Sequence, residues 1–297
     1  MSKRNWALIA ATMVSLIYGV SFTIAKDVMP TYIKPFGFIL LRVFGATILF
    51  WLISFFGPTE KIQLKDFPRI IAAAFFGVAL NMLTFFKGLS FTSPISAAVI
   101  MVTTPIIVLI LSTIIMKEKM IKRKIFGILL GLFGTGFLIL YGKSIGNAAN
   151  APLGNLLVFI NAVSYAFYLI VVKKLMDKYN AFTFVKWIYT FGLLMVLPFG
   201  WSEYQEIQWA TIPTYILWEI VFVVVFTTFF TYLFNLVSMR ELKPTTVSVF
   251  IYLQPLFATI FAISLGKDEL TLVKIVSAVL IFVGVYLVTL KKKSQSQ

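Results

Sequence analysis

Polar side chains recur at helical spacing inside long apolar stretches of this sequence. In residues 244–265, Thr245, Ser248 and Tyr252 follow one another at intervals of three and four, which places them on one helix face. Because unpaired polar groups are costly in an apolar medium, such faces either line a solute cavity or join helices by hydrogen bonds. The candidates for binding a small-molecule substrate are Tyr18, Asn81, Phe85, Asn161, Tyr165, Tyr168, Thr228, Thr231, Asn235, Ser248 and Tyr252. Tyr, Phe and Asn together suit an amphipathic or aromatic solute better than a bare ion.

Two basic residues lie within apolar stretches and are candidates for gating or charge recognition. Arg42 lies about seven residues into its stretch, where it either pairs with a carboxylate-bearing substrate or extends outward to an interface. Lys87 lies near the end of its own stretch, as a gate or a cavity cation. Both alternatives remain open from the sequence.

Two prolines in the middle of predicted helices are candidate hinges. Pro105 and Pro255 lack the backbone N–H, so each frees the carbonyl four residues earlier, at Met101 and Ile251. The freed carbonyls either face the substrate and permit bending or only kink the helix around its neighbours.

Several kinds of chemistry are excluded by composition. The chain has no His and no Cys, which removes disulfides, thiolate nucleophiles, histidine acid–base catalysis and the usual zinc sites. No pair of carboxylates has catalytic spacing, and residues 142–144 (GKS) lack the earlier glycine of a phosphate-binding loop, because Phe137 stands there. We therefore expect no enzyme, no metal and no cofactor.

The elements that position these residues are predicted to be membrane helices. Of 297 residues, 60% are hydrophobic and 12% are charged, against 45–50% and about 25% in a typical soluble domain. The mean hydropathy is +0.95. The lipid bilayer is thus the expected surroundings. Ten stretches have the length of a spanning helix: 6–25, 36–55, 70–89, 94–116, 125–141, 153–172, 182–199, 215–238, 244–265 and 272–290.

The basic residues set an orientation. With the N-terminus in the cytoplasm, the inside termini and connectors carry 19 Lys and Arg residues and the outside connectors carry 6. Positive connectors stay inside, so both termini are predicted to be cytoplasmic. The net charge of +15 is therefore a topology signal, and we expect no nucleic acid partner.

The two halves of the chain repeat each other. Each half has five predicted helices, so the second copy inserts upside down relative to the first, as in alternating-access transporters. We predict repeats at 1–141 and 153–290, a linker at 142–152 and a basic cytoplasmic tail at 291–297. A shift of 150 residues superimposes Pro94 on Pro244, Pro105 on Pro255 and Gly134 on Gly284.

Short motifs recur in both halves of the chain. They are residues 85–89 (FFKGL), 93–95 (SPI), 104–106 (TPI), 117–119 (KEK), 242–245 (LKPT), 254–256 (QPL) and 266–269 (GKDE), with glycines from Gly127 to Gly136 and Gly284. By these motifs, each half resembles an EamA repeat of the drug/metabolite transporter superfamily. The resemblance implies ten helices, a central cavity and the movement of small metabolites, often amino acids and usually outward, and it favours a structural role for Arg42 at the outer interface.

Transport has alternatives, and some properties stay open. With no His and no carboxylate at mid-membrane depth, the sequence favours a uniporter-like exporter over a proton-coupled carrier. The alternatives are a multidrug efflux carrier and a membrane binding or assembly protein on the same fold that transports nothing. We expect a multi-pass protein of the bacterial cytoplasmic membrane. The sequence does not fix the oligomeric state, and a monomer is plausible.

Overall fold

The chain folds into helices joined by short connectors. A computed structural model describes residues 3–56, 60–116, 122–141, 150–242 and 247–289, and within these ranges there is no β-strand. A helix that is interrupted by a 3-10 or π turn keeps a single number. The helices are α1 (Lys3–Val28), α2 (Pro35–Ser54), α3 (Leu64–Phe91), α4 (Pro94–Met101 and Thr104–Met116), α5 (Lys122–Tyr141), α6 (Ala151–Met176), α7 (Ala181–Gln205), α8 (Thr214–Glu241), α9 (Leu253–Ser264) and α10 (Leu272–Thr289).

These helices have the length and surface of a membrane protein. Seven apolar helical runs in the described residues, in α1–α4 and α6–α8, are long enough to cross a bilayer. Three shorter apolar segments lie in α5, around α9 and in α10: Ile125–Leu138, Phe250–Ser264 and Leu272–Gly284. Large apolar side chains such as Phe133 and Trp218 are exposed on the outside. The all-α membrane class is confirmed, and the crossing of all ten helices remains a prediction.

The helix packing has the symmetry of two copies of one five-helix unit. Helix α2 packs along α7, and α5 packs along α10. The pair α3–α6 has its counterpart in α8–α1, and the pair α1–α9 has its counterpart in α6–α4. Adding five to each helix number, and counting round from ten to one, returns the pairs α2–α7 and α5–α10 to themselves and exchanges the two members of each other set. This agrees with the repeat in the sequence, whose domain boundaries remain predictions.

Irregular turns recur at the same places in both halves. A π turn at Phe75–Ala79 interrupts α3, and a longer one at Val223–Phe230 interrupts α8. Helix α4 breaks between Met101 and Thr104, and a 3-10 turn at Ser248–Tyr252 precedes α9 at the matching position. Because π and 3-10 turns rotate the residues that follow them, these sites reset which face of each helix points inward.

Connectors gather in two groups at opposite ends of the helices. Lys34, between α1 and α2, forms an ion pair with Glu206, between α7 and α8, and the Glu206 carboxylate raises the pKa of Lys34. At the other end, the Asn180 amide between α6 and α7 donates to Glu60, between α2 and α3, at 2.7 Å. Six helices separate the connectors of the first pair and four separate those of the second, and an even number is what a multi-pass chain requires of connectors on the same side.

Glycines permit the closest helix contacts. A Cβ atom on Gly88 of α3 would lie 2.8 Å from the carbonyl oxygen of Gly154 in α6, and the reverse distance is also 2.8 Å. Small residues let membrane helices approach until their backbones touch. The contact between α3 and α6 is therefore a fixed seam beside the centre of the molecule.

Candidate functional site

A cavity lies between the helices of both halves. It contains about 680 Å³ of space outside the atoms, counted with its opening. The walls come from α1, α2, α3, α4, α6 and α8, and from Gln254 of α9. The lining residues are Tyr18, Ser21, Phe22, Ala25, Arg42, Asn81, Met82, Phe85, Phe86, Met101, Asn161, Tyr165, Val223, Thr227, Tyr232 and Gln254.

A second, smaller cavity of about 280 Å³ follows the first along α1. The larger cavity contacts α1 from Tyr18 to Ala25, and the smaller one contacts it from Ala11 to Tyr18. Three side chains line both cavities and so divide them: Tyr18, Tyr165 and Gln254, called the septum below. Tyr18 and Tyr165 occupy matching positions in the two halves, 147 residues apart.

Six of the predicted substrate-binding residues reach a cavity. They come from four helices that are distant in the sequence. In the larger cavity are Tyr18, Asn81, Phe85, Asn161 and Tyr165, and in the smaller cavity are Tyr18, Tyr165 and Asn235. Asn81 and Asn161 also join α3 to α6, because the Asn161 Nδ2 donates to the Asn81 carbonyl at 2.8 Å. These asparagines therefore act both as lining and as interhelical contacts.

Three other predicted binding residues lie behind the lining. Tyr168 is buried, and its ring stacks on that of Tyr165 with 5.9 Å between ring centroids. Thr228 and Thr231 are fully buried and donate to backbone carbonyls of their own helix, at 2.8 Å and 2.5 Å. Each hydroxyl thus gives its single proton to its own helix and keeps only its oxygen as an acceptor. These residues support the lining residues and do not contact the cavities. The side chain of Ser248 is outside the described part of the chain.

Tyr252 lies away from both cavities. Its ring packs edge-on against Phe282 at 6.1 Å between centroids, and its buried hydroxyl has no hydrogen-bond partner among the described residues. Its prediction as a binding residue is not supported by this placement.

Removing the Tyr252 hydroxyl should not weaken the protein. For Tyr252→Phe we expect a free energy of unfolding that is unchanged or higher by about 1 kcal/mol, because a buried unpaired hydroxyl is lost. Thermal unfolding of the purified protein in detergent measures this. A loss of more than about 1 kcal/mol would show that the hydroxyl has a partner in the folded protein.

The Arg42 side chain is turned into the protein, towards the larger cavity. Its side chain is 4% exposed and lines the larger cavity. The Nε atom donates to the Thr228 hydroxyl, Nη2 lies 3.3 Å from the Thr227 carbonyl oxygen, and Cζ lies 4.8 Å from the Phe86 ring centroid. No carboxylate of the described residues forms an ion pair with it. These contacts join α2 to α8 and α3, and the structural role at the outer interface that the resemblance favours for Arg42 stays a prediction.

The other predicted gating residues lie at the edges of the site. The Lys87 Nζ is 4.9 Å from the Phe91 ring centroid, and Lys87 lines neither cavity. Pro105 and Pro255 follow the two irregular turns of α4 and α9. The residues whose carbonyls they free do meet the cavities, Met101 the larger and Ile251 the smaller.

Several residues that line the larger cavity were not predicted from the sequence. A sequence signal exists for Gln254, a lone amide in an apolar stretch, and for Tyr232, which adjoins the polar positions of α8. The lining residues that the sequence reasoning missed include Ser21, Met82, Thr227, Tyr232 and Gln254.

Comparison with known proteins identifies the family. The EamA-like transporter family matches this chain twice, over residues 5–140 and 152–290. The chain belongs to this family. It is a multi-pass membrane transporter with two EamA repeats, and the described cavities lie between those repeats.

Relatives of similar length carry transporter names. An uncharacterized transporter of Archaeoglobus fulgidus is 27% identical over 289 residues, which cover 97% of this chain and 100% of that protein. The uncharacterized transporter YetK of Bacillus subtilis is 23% identical over 299 residues, which cover 99% of this chain and 89% of that protein. A solved crystal structure with 16% sequence identity has the same fold, with a TM-score of 0.65 over 96% of this chain and 98% of the other.

Proposed function

We propose that this transporter exports a small metabolite, with amino acids or related solutes as the favoured class, by alternating access. The observation that carries the proposal is the pair of cavities that follow one another along α1 and are divided only by the septum. An alternating-access carrier needs a binding site near the bilayer midplane that opens to one side at a time. Two cavities around one partition between two repeats supply that arrangement.

The cavity chemistry favours an uncoupled mechanism. The larger cavity is lined by aromatic rings, amides, hydroxyls and one arginine, and no carboxylate is present among its described lining residues. Carriers that couple to protons often use a buried group that titrates during the cycle. We therefore infer facilitated export down a metabolite gradient.

The orientation follows from charge. The connector ends that carry most Lys and Arg residues are placed in the cytoplasm, so both termini are cytoplasmic. In this orientation, α1 runs outward, the smaller cavity faces the cytoplasm and the larger cavity faces outside. The membrane is the cytoplasmic membrane of a bacterial cell.

Exchange across reconstituted membranes tests the proposal. Cells that express the native chain, Asn161→Ala or Tyr252→Phe are compared for metabolites in the medium, and each solute found is tested for counterflow in proteoliposomes. We expect accumulation and counterflow with the native chain and with Tyr252→Phe, and at least a tenfold loss with Asn161→Ala, because Asn161 lines the cavity. Melting curves of the three proteins establish that each one is folded.

The outcomes separate the competing functions. Flux of many unrelated apolar compounds with little selectivity would replace the proposal by multidrug efflux, which the rings of Phe22, Phe85 and Phe86 would serve. Binding of a solute without any counterflow would replace it by a non-transporting binding protein. Loss of export on collapse of the pH gradient would overturn the uncoupled mechanism.

A further inference from the structure

Lys186 is a half-buried lysine in the second turn of α7, at the end of the helices where α6 and α7 are connected. Other basic residues at this end have an acidic partner, because Lys178 and Arg69 both form ion pairs with Asp66. No carboxylate of the described residues forms an ion pair with Lys186. A charge that lies beside lipid without a counter-ion attracts anionic head groups.

Neutral groups of α2 hold the lysine amine in place. The Lys186 Nζ lies 4.7 Å from the Trp51 ring centroid and 3.4 Å from the Ser54 Oγ. The Trp51 ring is itself fixed, because its Nε1 donates to the Thr190 hydroxyl at 2.9 Å. Ser54 gives its proton to the Trp51 carbonyl at 2.7 Å, so its oxygen remains as an acceptor for the amine. These contacts position the charge without opposing it by a negative one.

Aromatic rings from three helices form a cluster beside this lysine. Trp51 of α2 contacts Trp187 of α7 with 5.4 Å between ring centroids. Phe67 of α3 contacts Trp187 at 5.6 Å and Phe191 of α7 at 6.1 Å. Tryptophan rings are typical of the level at which lipid head groups meet hydrocarbon. The cluster therefore indicates that Lys186 lies at the depth of lipid phosphate groups.

An exposed apolar stripe runs from this place along α2. Its side chains recur at intervals of four, four and three residues, which puts them on one helix face, and they are Phe44, Ile48, Leu52 and Phe55. Trp51 adjoins this face, because it lies three residues after Ile48 and four before Phe55. A ligand with an anionic head and a long apolar chain fits the lysine and the stripe together, whereas a free phosphate ion would use the lysine alone.

We propose that the edge between α2 and α7 binds an acidic phospholipid, whose phosphate group pairs with Lys186 and whose acyl chain lies along the exposed stripe of α2. The residues of this site line neither described cavity, so the inference goes beyond the proposed transport function and does not depend on the solute. Because α2 and α7 belong to different repeats and pack along each other, one lipid at this edge contacts both repeats.

Lipids with the same acyl chains and different head groups test this site. Phosphatidylglycerol or phosphatidylcholine is added to the purified protein in a neutral detergent, and the rise in melting temperature with lipid concentration gives the apparent affinity. We expect phosphatidylglycerol to bind at least tenfold more tightly. Lys186→Gln should reduce this preference at least fivefold, and Lys186→Arg should retain it, because arginine keeps a charge that pairs with phosphate. Lys65→Gln is the matched control, because Lys65 is an exposed lysine at the same end, and it should leave the preference unchanged.

Three results would overturn the inference. They are equal affinities of the native protein for the two lipids, equal losses in Lys186→Gln and Lys65→Gln, and a rise in melting temperature with inorganic phosphate as large as with phosphatidylglycerol. If Lys186→Gln does not fold, tryptophan fluorescence decides. Phosphatidylglycerol brominated on its acyl chains should quench the native protein more than brominated phosphatidylcholine does, and Trp51→Phe should lose part of that difference. Equal quenching by the two lipids, or an unchanged difference in Trp51→Phe, would contradict a lipid site at this edge.

Discussion

Replacing Gly284 by alanine should lower the free energy of unfolding by about 3 kcal/mol, at the upper end for an overpacked core. A Cβ atom there would lie 2.6 Å from the Gly127 carbonyl oxygen, 2.7 Å from the Gly131 nitrogen and 2.9 Å from the Gly131 Cα. These are backbone atoms of α5 and cannot turn aside as a side chain can. The added methyl group therefore forces α5 and α10 apart along their shared contact.

Gly136 in α5 is the matched control for this change. A Cβ atom on Gly136 meets nothing within 4 Å, so Gly136→Ala should be neutral or stabilise the helix by about 1 kcal/mol. Denaturant or thermal unfolding in one detergent gives both values. Equal stability of the two variants would mean that α5 and α10 do not meet at Gly284.

Hydropathy is enough to predict the helices. A chain segment that crosses lipid must pair its own backbone N–H and C=O groups, and an α-helix does so within the segment. Each of the ten predicted stretches is covered by helical structure in the residues described. The glycines of α5 that support the family resemblance also form a packing face, where Gly127 and Gly131 meet Gly284. The internal repeat could also be predicted from the sequence. Prolines and glycines recur at the same offset of 150 residues between the two halves, whereas the apolar residues around them differ.

The inward face of α8 was less predictable, and the π turn gives the reason. Regular spacing put Thr228, Thr231 and Asn235 on the cavity face, and of these three Asn235 alone lines a described cavity. The π turn at Val223–Phe230 adds residues to a turn and rotates the rest of the helix, so that Thr227 and Tyr232 line the larger cavity. A search for polar residues at a period of 3.6 assumes a regular α-helix, so it does not predict where a π turn occurs.

The same limit applies to Tyr252 and Arg42. Tyr252 ends a 3-10 turn, whose tighter winding shifts it away from the face that ordinary helical spacing gives. The role of Arg42 depends on Thr228, which is 186 residues away in the chain. Depth in a hydrophobic stretch cannot show this contact, which depends on the packing of α2 against α8.

Removing both tyrosines of the septum should convert a saturable carrier into a leak. In the Tyr18→Ala, Tyr165→Ala double variant, the two side chains that stand between the larger and smaller cavities are gone, and Gln254 alone remains. If one partition enforces opening to one side at a time, its loss joins the two cavities into a continuous passage. We expect solute flux in proteoliposomes to rise at least tenfold, to grow linearly with the gradient and to lose counterflow.

Tyr286→Ala is the control, because Tyr286 is 62% exposed and lines neither cavity. It removes the same side chain from α10 and should leave saturation and counterflow as in the native protein. The double variant must also elute as a folded, monodisperse protein before its flux is compared. Saturable counterflow in that folded double variant would contradict the role of the tyrosines. The barrier between the two sides would then lie at the cavity mouths, and the single binding site between the repeats would have to be closed by movement of whole helices against each other.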